Sequence, residues 1–301
     1  MPLNTKNIFA IIITYNPDLK ILGELVGRLR PQVGHVLIVD NGSDIDIQTW
    51  QCGGQDLQYV EILKLGQNLG IAVAHNKGIQ AAKRTNARYV LLMDQDSVPE
   101  HNMVKELLSK LVSLPNVAAV GARYLLDRAT QVSPFVRTRG LSRDRLLCGA
   151  GTDAVQVDFL ISSGCLISIA TLDIVGEMRE DLFIDYVDVE WGLRANHCGL
   201  NSYGVCSAAM RHSLGDAPQT VFGKSIGTHS PLRHYYYVRN ALLLYRESWI
   251  PFNWKVVDGW RLCLRAIVYM LFSKPHRANF RMIPLAILHG LSGRSGKMSD
   301  D

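Results

Sequence analysis

A chain of 301 residues, 48% of them hydrophobic, carries enough apolar surface to bury a core of its own, which excludes disorder as its default state. Its net charge of +5 sits at one end: residues 1–250 hold 24 basic and 24 acidic side chains, whereas residues 251–301 hold 8 and 3. The six cysteines (Cys52, Cys148, Cys165, Cys198, Cys206 and Cys263) form no CxxC pair and follow no charged-then-apolar leader, so the reduced thiols of a cytosolic protein are expected.

Apolar runs at 8–15 (IFAIIITY), 35–40 (HVLIVD), 58–65 (QYVEILKL) and 89–94 (YVLLMD) read as buried strands. Residues 18–30 and 71–84, between them, have helical spacing. This alternation predicts right-handed βαβ units, hence an α/β fold whose mainly parallel sheet has helices on both faces. Ligands bind such a sheet beyond the carboxyl ends of its strands. Three strands end there in polar or turn-forming residues, TYNP at 14–17, DNGSD at 40–44 and DQDS at 94–97, and these should share one rim.

Residues 126–153, rich in Arg, Ser, Thr and Gly, predict a long loop. Strands follow at 154–162 and 165–170, a short helix from Thr171, and a helical block over 229–290. The expected division is an α/β domain over 1–228 and a C-terminal basic helical region over 229–301. No stretch there provides the ~20 uninterrupted apolar residues of a membrane span. Val256 to Phe272 comes nearest, broken by Asp258, Arg261 and Arg265, which with Lys255 fall near one helical line beside Trp254, Trp260, Leu264, Ile267, Val268 and Leu271. That pattern suits a helix lying on an anionic membrane surface, and equally a helix packed on the domain. No nucleic-acid-binding motif accompanies the basic tail, so no nucleic-acid partner is expected.

Asp94 and Asp96 are one residue apart at the end of an apolar strand, where extended geometry would point both the same way. Adjacent carboxylates repel unless a cation lies between them. Mg²⁺ suits the place, since it takes one or two protein carboxylates and completes its shell with water and substrate phosphate. The same spacing also suits a solvated turn that caps a helix. Farther on, Asp185, Asp188 and Glu190 crowd ahead of WGLRA. A turn at Val187 would put Asp188 in a helix's first turn, placed either as a general base or as a simple cap. His212 follows a strand-like run and suits a cation, a phosphate oxygen or an ordinary hydrogen bond. Arg233, Tyr236, Arg239 and Asn240 share one helix face, where arginine either binds a diphosphate or lies at the surface beside core tyrosines. The glycines of GQNLGIAVAHNKGI match neither GxGxxG nor the Walker A spacing, which argues against a dehydrogenase or a P-loop NTPase.

Taken in order, these segments resemble the family 2 inverting glycosyltransferases of GT-A fold, to about residue 250. LLMDQDS, FLISSGCLIS, LFIDYVDVEWGLRA and PLRHYYYVRNALLLYR look most like bacterial rhamnosyltransferases, including those of O-antigen, rhamnan and rhamnolipid synthesis. The resemblance implies a GT-A fold with a C-terminal helical extension, a dTDP-L-rhamnose donor, Mg²⁺ or Mn²⁺, and a glycan or lipid-linked acceptor. It further implies a cytoplasmic protein, peripheral on the inner face of the membrane. Asp40 would bond the thymine, Thr14, Tyr15 and Asn16 would flank the nucleoside, and Asn68 and Gly70 would line the same pocket. Asp94 would face the ribose and Asp96 would hold the metal, with His212 close to it and Arg239 near the diphosphate. Asp188 matches the catalytic base, but Val187 stands where the family's motif has Glu, so Asp185 shares the candidacy. The alternatives are a same-fold enzyme using another nucleotide sugar, or an inactive nucleotide-sugar-binding or membrane-scaffold protein.

Overall fold

A computed structural model describes residues 3–47, 60–126, 133–149, 151–212, 219–221, 224–226 and 229–298. The β-branched run of β1 (Ile8–Thr14) is buried throughout. Next, α1 (Leu19–Leu29) is started by the Asp18 carboxylate, which accepts from the amides of Lys20 and Ile21. β2 (His35–Asp40), β3 (Val60–Lys64), α2 (Ile71–Lys83) and β4 (Tyr89–Asp94) follow. Together the strands form the parallel order β3-β2-β1-β4, with Thr14 beside Asp40 and Ile13 beside Asp94. The three polar strand ends therefore share one rim, because parallel strands in register end together.

The chain continues through β5 (Ser97–Pro99), α3 (Met103–Ser113), β6 (Val117–Leu126), β7 (Phe135–Arg139), β8 (Ser142–Leu146), β9 (Ala154–Val157), β10 (Cys165–Ser168), α4 (Ile169–Val175), α5 (Val187–His197) and β11 (Asn201–His212). Here the sheet becomes mixed: beyond β4 the order is β10-β6-β11-β5, with β10 antiparallel to both neighbours and β9 antiparallel to β11. A small hairpin, β12 (Gln219–Val221) with β13 (Lys224–Ile226), precedes α6 (Pro231–Arg246), α7 (Phe252–Phe272) and α8 (His276–Ser292).

Alternation along β1 divides the core in two. Ile8, Ala10 and Ile12 pack with α1 and α3 on one face. Phe9, Ile11 and Ile13 pack on the other with α2, α5 and the C-terminal helices, which thus share the core of the sheet. Each fully buried isoleucine contributes about 1.5–3 kcal/mol.

Three expectations need correction. The loop predicted over 126–153 contains a hairpin, β7 with β8, turning at Gly140, whose φ of 56° suits glycine. FVRTR and SRDRL are too charged for an apolar alternation to reveal it. The strand predicted over 154–162 stops at Val157, where the Asp158 carboxylate instead accepts the Thr138 amide at 2.7 Å. Finally, Cys148 and Cys206 are disulfide-bonded, not reduced. They lie 58 residues apart, and folding brings their Cα atoms to 5.5 Å.

The charged line of α7 does not face outward as a unit. Asp258 is buried with Trp254, Leu262, Ala266 and Tyr269, and the exposed side carries Val256, Trp260, Leu264, Ile267 and Leu271. Among the described residues no helix is long and apolar enough to cross a membrane.

Candidate functional site

At the rim, Thr14 Oγ1 donates to Asp40 Oδ1 at 3.2 Å and the Ser43 amide to Oδ2 at 3.3 Å. Asp40 is consequently 3% exposed. Asn16, at φ 48°, is locked to the next loop, its amide donating to Ser43 Oγ at 2.8 Å and its side chain to Asp44 at 3.1 Å. Tyr15 is exposed, and its backbone exchanges two hydrogen bonds with the Gln95 side chain at 2.7 and 3.2 Å. Gln95 thereby ties the first loop to the DxD loop. Asn68 accepts through Oδ1 from Asn41 and from the Gly70 amide. Gly70 has φ 92°, and a Cβ there would lie 2.6 Å from the Phe183 carbonyl oxygen. It serves as a close contact between loops, continued by the Ile71 amide donating to that oxygen at 2.8 Å.

β4 ends at Asp94, and Gln95 and Asp96 form a turn before β5. Asp94 therefore stands at the strand's end as expected, whereas Asp96 is carried not on an extended segment but on the turn that follows. Ser163 supports it, accepting from the Asp94 amide at 3.1 Å and donating to Ser97 Oγ at 2.7 Å. His212 pairs with Ser97 in the β11–β5 register, so its backbone lies one residue along from Asp96. The side chain of His212 is outside the described residues.

Across the cavity, α5 begins at Val187 as expected, with Asp188 in its first turn. The approach is unusual: Phe183, Asp185 and Tyr186 have φ of 65°, 61° and 63°. Non-glycine residues there cost of order 1–3 kcal/mol each and persist only where surroundings hold them. Asn240 does so. Fully buried, it donates through Nδ2 to the carbonyls of Leu182, Ile184 and Asp185 at 2.8, 2.7 and 2.9 Å.

Arg239 corrects an expectation, because it does not reach a diphosphate. It is 1% exposed, lies against Tyr235 and Tyr236, and donates to Asn240 Oδ1 at 2.9 and 2.7 Å, to Leu182 O at 3.1 Å and to Gly296 O at 2.5 Å. A guanidinium so enclosed orients Asn240. Arg233, at the start of the same helix, instead faces the site, its Nε 3.3 Å from Asp185 Oδ2.

Asp94, Asp185, Asp188 and Arg233 line one cavity of about 280 Å³ whose inner wall is largely apolar, including Leu92, Ile167 and Trp191. Burial pushes the Asp188 carboxyl up to about 6, assisted by the Asp185 charge and opposed by the Val189 amide and Arg233. His75 also lines this wall, and burial lowers its pKa to about 4, which keeps it neutral at pH 7. Sequence reading missed Gln95, Ser163 and His75. Gln95 alone had a signal, its place between the two aspartates.

The donor set decides whether a metal fits. Asp94 and Asp96 offer hard carboxylate oxygens at a strand end, and among the described residues no group of three His, Cys, Asp or Glu could hold an ion unaided. That suits a Mg²⁺-like ion completed by water and substrate phosphate, and does not suit an all-protein cage.

Residues 9–162 match the family model described as Glycosyl transferase family 2. Over 293 residues the chain is 32% identical to dTDP-rhamnosyl transferase RfbF of Shigella flexneri, covering 97% of each. It is 24% identical to the low-salt glycan biosynthesis hexosyltransferase Agl10 of Haloferax volcanii, over 97% of this chain and 93% of that one. Among solved structures it resembles Staphylococcus aureus TarS 1–349, with TM-score 0.59, 15% identity, and coverage of 95% of this chain and 81% of that one. It also resembles GalNAc-T7 solved with UDP, GalNAc and Mn²⁺, with TM-score 0.57, 12% identity, and coverage of 90% of this chain and 58% of that one. These two likenesses bear on the fold, which is GT-A.

Proposed function

The chain belongs to glycosyl transferase family 2, and from that premise we propose that it transfers L-rhamnose from dTDP-L-rhamnose, with inversion, to a hydroxyl of a glycan or glycolipid. The observation that carries the mechanism is Asp188, shielded in a helix's first turn on the same cavity as Asp94 at the end of β4. A carboxyl raised to about 6 is still ionised at pH 7 and is a stronger base than an ordinary one. Asp188 takes the acceptor hydroxyl proton as that oxygen bonds to the anomeric carbon. The carbon–oxygen bond to the diphosphate breaks on the opposite side, so a β-linked donor gives an α-rhamnoside. Asp185, paired with Arg233, is the neighbouring charge that helps raise Asp188.

On the donor side, Asp40 with Thr14, Tyr15, Asn16, Asn68 and Gly70 would form the nucleoside rim, Asp94 would face the ribose, and Asp96 with His212 would hold Mg²⁺ or Mn²⁺. That ion, when bound, offsets charge developing on the departing diphosphate. The apolar inner wall supports a 6-deoxy sugar, whose methyl needs no hydrogen-bond partner. The donor domain spans 1–228. Within 229–301, the exposed apolar residues Trp260, Leu264, Ile267 and Leu271 of α7 are followed in the chain by the exposed Lys274, Arg277 and Arg281, a composition that supports contact with an anionic membrane surface.

The test is nucleoside diphosphate release from dTDP, UDP and GDP sugars with Mg²⁺, Mn²⁺ or EDTA, beside Asp188→Asn. Metal-dependent turnover of dTDP-L-rhamnose, absent in the variant, is expected. Failure of every dTDP sugar both to turn over and to bind would sink the reading.

A further inference from the structure

His75, on α2, has no part in the mechanism above, yet it lines the cavity that Asp94 and Asp188 share. It is 1% exposed, and among the described residues neither of its ring nitrogens has a hydrogen-bond partner. Burial is what lowers its pKa to about 4, and no neighbouring charge opposes it. The ring is therefore neutral at pH 7, with one N–H donor and one acceptor. Burying both unpaired is costly, so a fold that keeps them so calls for a partner from outside the chain.

The neighbouring residues fix the ring in place. Asn76 donates through Nδ2 to the Met178 carbonyl and to Glu180 Oε1, both at 2.9 Å, and its Oδ1 accepts from the Met178 amide at 2.8 Å. Gly78 lies directly against β1, where a Cβ would come within 2.4 Å of Ile11 Cγ2. Pinned to β1 and to Met178, α2 cannot roll to turn His75 toward solvent. Ile71 opens the helix beside Gly70, its amide bonded to the Phe183 carbonyl, so His75 sits four residues, or about 6 Å, farther along the axis. Apolar side chains of the same cavity include Ile71, Leu92, Met178 and Ile184.

Three ligand chemistries can be weighed against such a place. A phosphate calls for charged donors, which a neutral ring is not. A methyl group would leave both nitrogens unpaired. A hydroxyl both donates and accepts, so it can satisfy either nitrogen, and a sugar ring carries hydroxyls on apolar carbons, which matches a polar point set among apolar side chains. We propose that His75 is the specificity-determining residue for the donor's sugar, its imidazole hydrogen-bonding one ring hydroxyl of the transferred 6-deoxyhexose. The rim and the metal then select the nucleotide, and His75 selects the sugar attached to it. The inference rests on the donor reading and adds to it the residue that tells one dTDP sugar from another. A site built around a hydroxyl rejects the analogue that lacks it, because the buried partner is left unpaired.

Calorimetric titration of the full chain in Mg²⁺ decides the matter. The probes are dTDP, dTDP-L-rhamnose and its three analogues lacking the 2-, 3- or 4-hydroxyl. His75→Leu is expected to bind dTDP as the wild type does but dTDP-L-rhamnose about tenfold more weakly, and His75→Gln, which keeps a donor and an acceptor, to recover part of that loss. One deoxy analogue should bind the wild type about tenfold more weakly than dTDP-L-rhamnose does, and His75→Leu should not distinguish the two. A ratio of the dTDP-L-rhamnose and dTDP Kd values unmoved by His75→Leu, or an analogue series that the variant ranks as the wild type does, would overturn the proposal and leave the donor reading standing. A ring with a merely structural role would change stability and not that ratio. Should His75→Leu fail to fold, His75→Ala is read by the same ratio. If a UDP or GDP sugar binds in place of dTDP, the donor reading falls and the ratio for that nucleotide decides His75; if no nucleotide binds, both fall.

Discussion

The rim of strand ends and the loop before Asp188 meet at one cavity, through Asp94 on one side and Asp185 and Asp188 on the other, but are held by opposite means. At the rim, neighbouring strand ends bond to one another: Thr14 to Asp40, Asn16 to Ser43 and Asp44, Gln95 to Tyr15. The base loop is held from afar, with Asn240 more than 50 residues downstream gripping three of its carbonyls and Gly70 packed beneath Phe183. A rim of this kind forms wherever parallel strands end together, whereas a strained loop exists only once distant helices have docked. The comparison implies that rim variants should chiefly alter donor binding, and base-loop variants should chiefly alter turnover and stability.

The strongest way to break that division is Asp188→Asn. Transfer should fall by about 10²–10⁴-fold with donor affinity nearly unchanged, as measured by kcat and by dTDP titration. Equal loss of binding would remove Asp188 from the base role. On the rim side, Asp96→Ala should abolish the Mg²⁺-dependent part of donor affinity, and undiminished wild-type activity in EDTA would remove the metal from the account. Asn240→Ala leaves three carbonyls without their amide donor and should cost about 2–4 kcal/mol in denaturant unfolding, with kcat reduced more than donor affinity. A variant with normal stability and normal kcat would show that the loop holds itself.

Protonation sharpens the comparison further. With Asp188 in the proposed role of base, which requires its ionised form, kcat should fall about tenfold per pH unit below about 6. Stability carries the opposite sign. A carboxyl whose folded pKa is raised above its unfolded one contributes fully at pH below the unfolded value, and that contribution is lost as pH climbs to about 6. Asp188→Asn should therefore raise Tm at pH 8 and change it little at pH 3, and the reverse pattern would contradict the burial of this group. The smallest effect expected is at the membrane: anionic liposomes should retain the enzyme at low salt and release it at high salt. Salt-independent retention would leave only the apolar face of α7 as the cause.

Much of the site was legible because its chemistry is local. The run of β1 and the turn residues after β2 and β4 announced a rim, and the turn opening α5 was placed at Val187. Arg239 was misread because helical spacing shows which residues share a face and not what covers that face. The β7–β8 hairpin escaped because its strands are charged, and the Cys148–Cys206 bond because 58 residues separate partners that only the sheet brings together. The charged line of α7 was seen, but its spacing could not say that Asp258 turns inward to two tyrosines.

By itself, then, the sequence determined the alternation of strand and helix, the placing of three polar strand ends on one rim and the presence of carboxylates suited to a cation and a base. Periodicity and turn chemistry act over a few residues, so they can be read without knowing the fold. Only the tertiary structure decided that Arg239 is enclosed, that Asn240 holds the loop before Asp188, and that Asp188 is shielded enough to be raised to about 6. Burial and charge proximity depend on which distant surfaces meet, and no local pattern encodes that meeting.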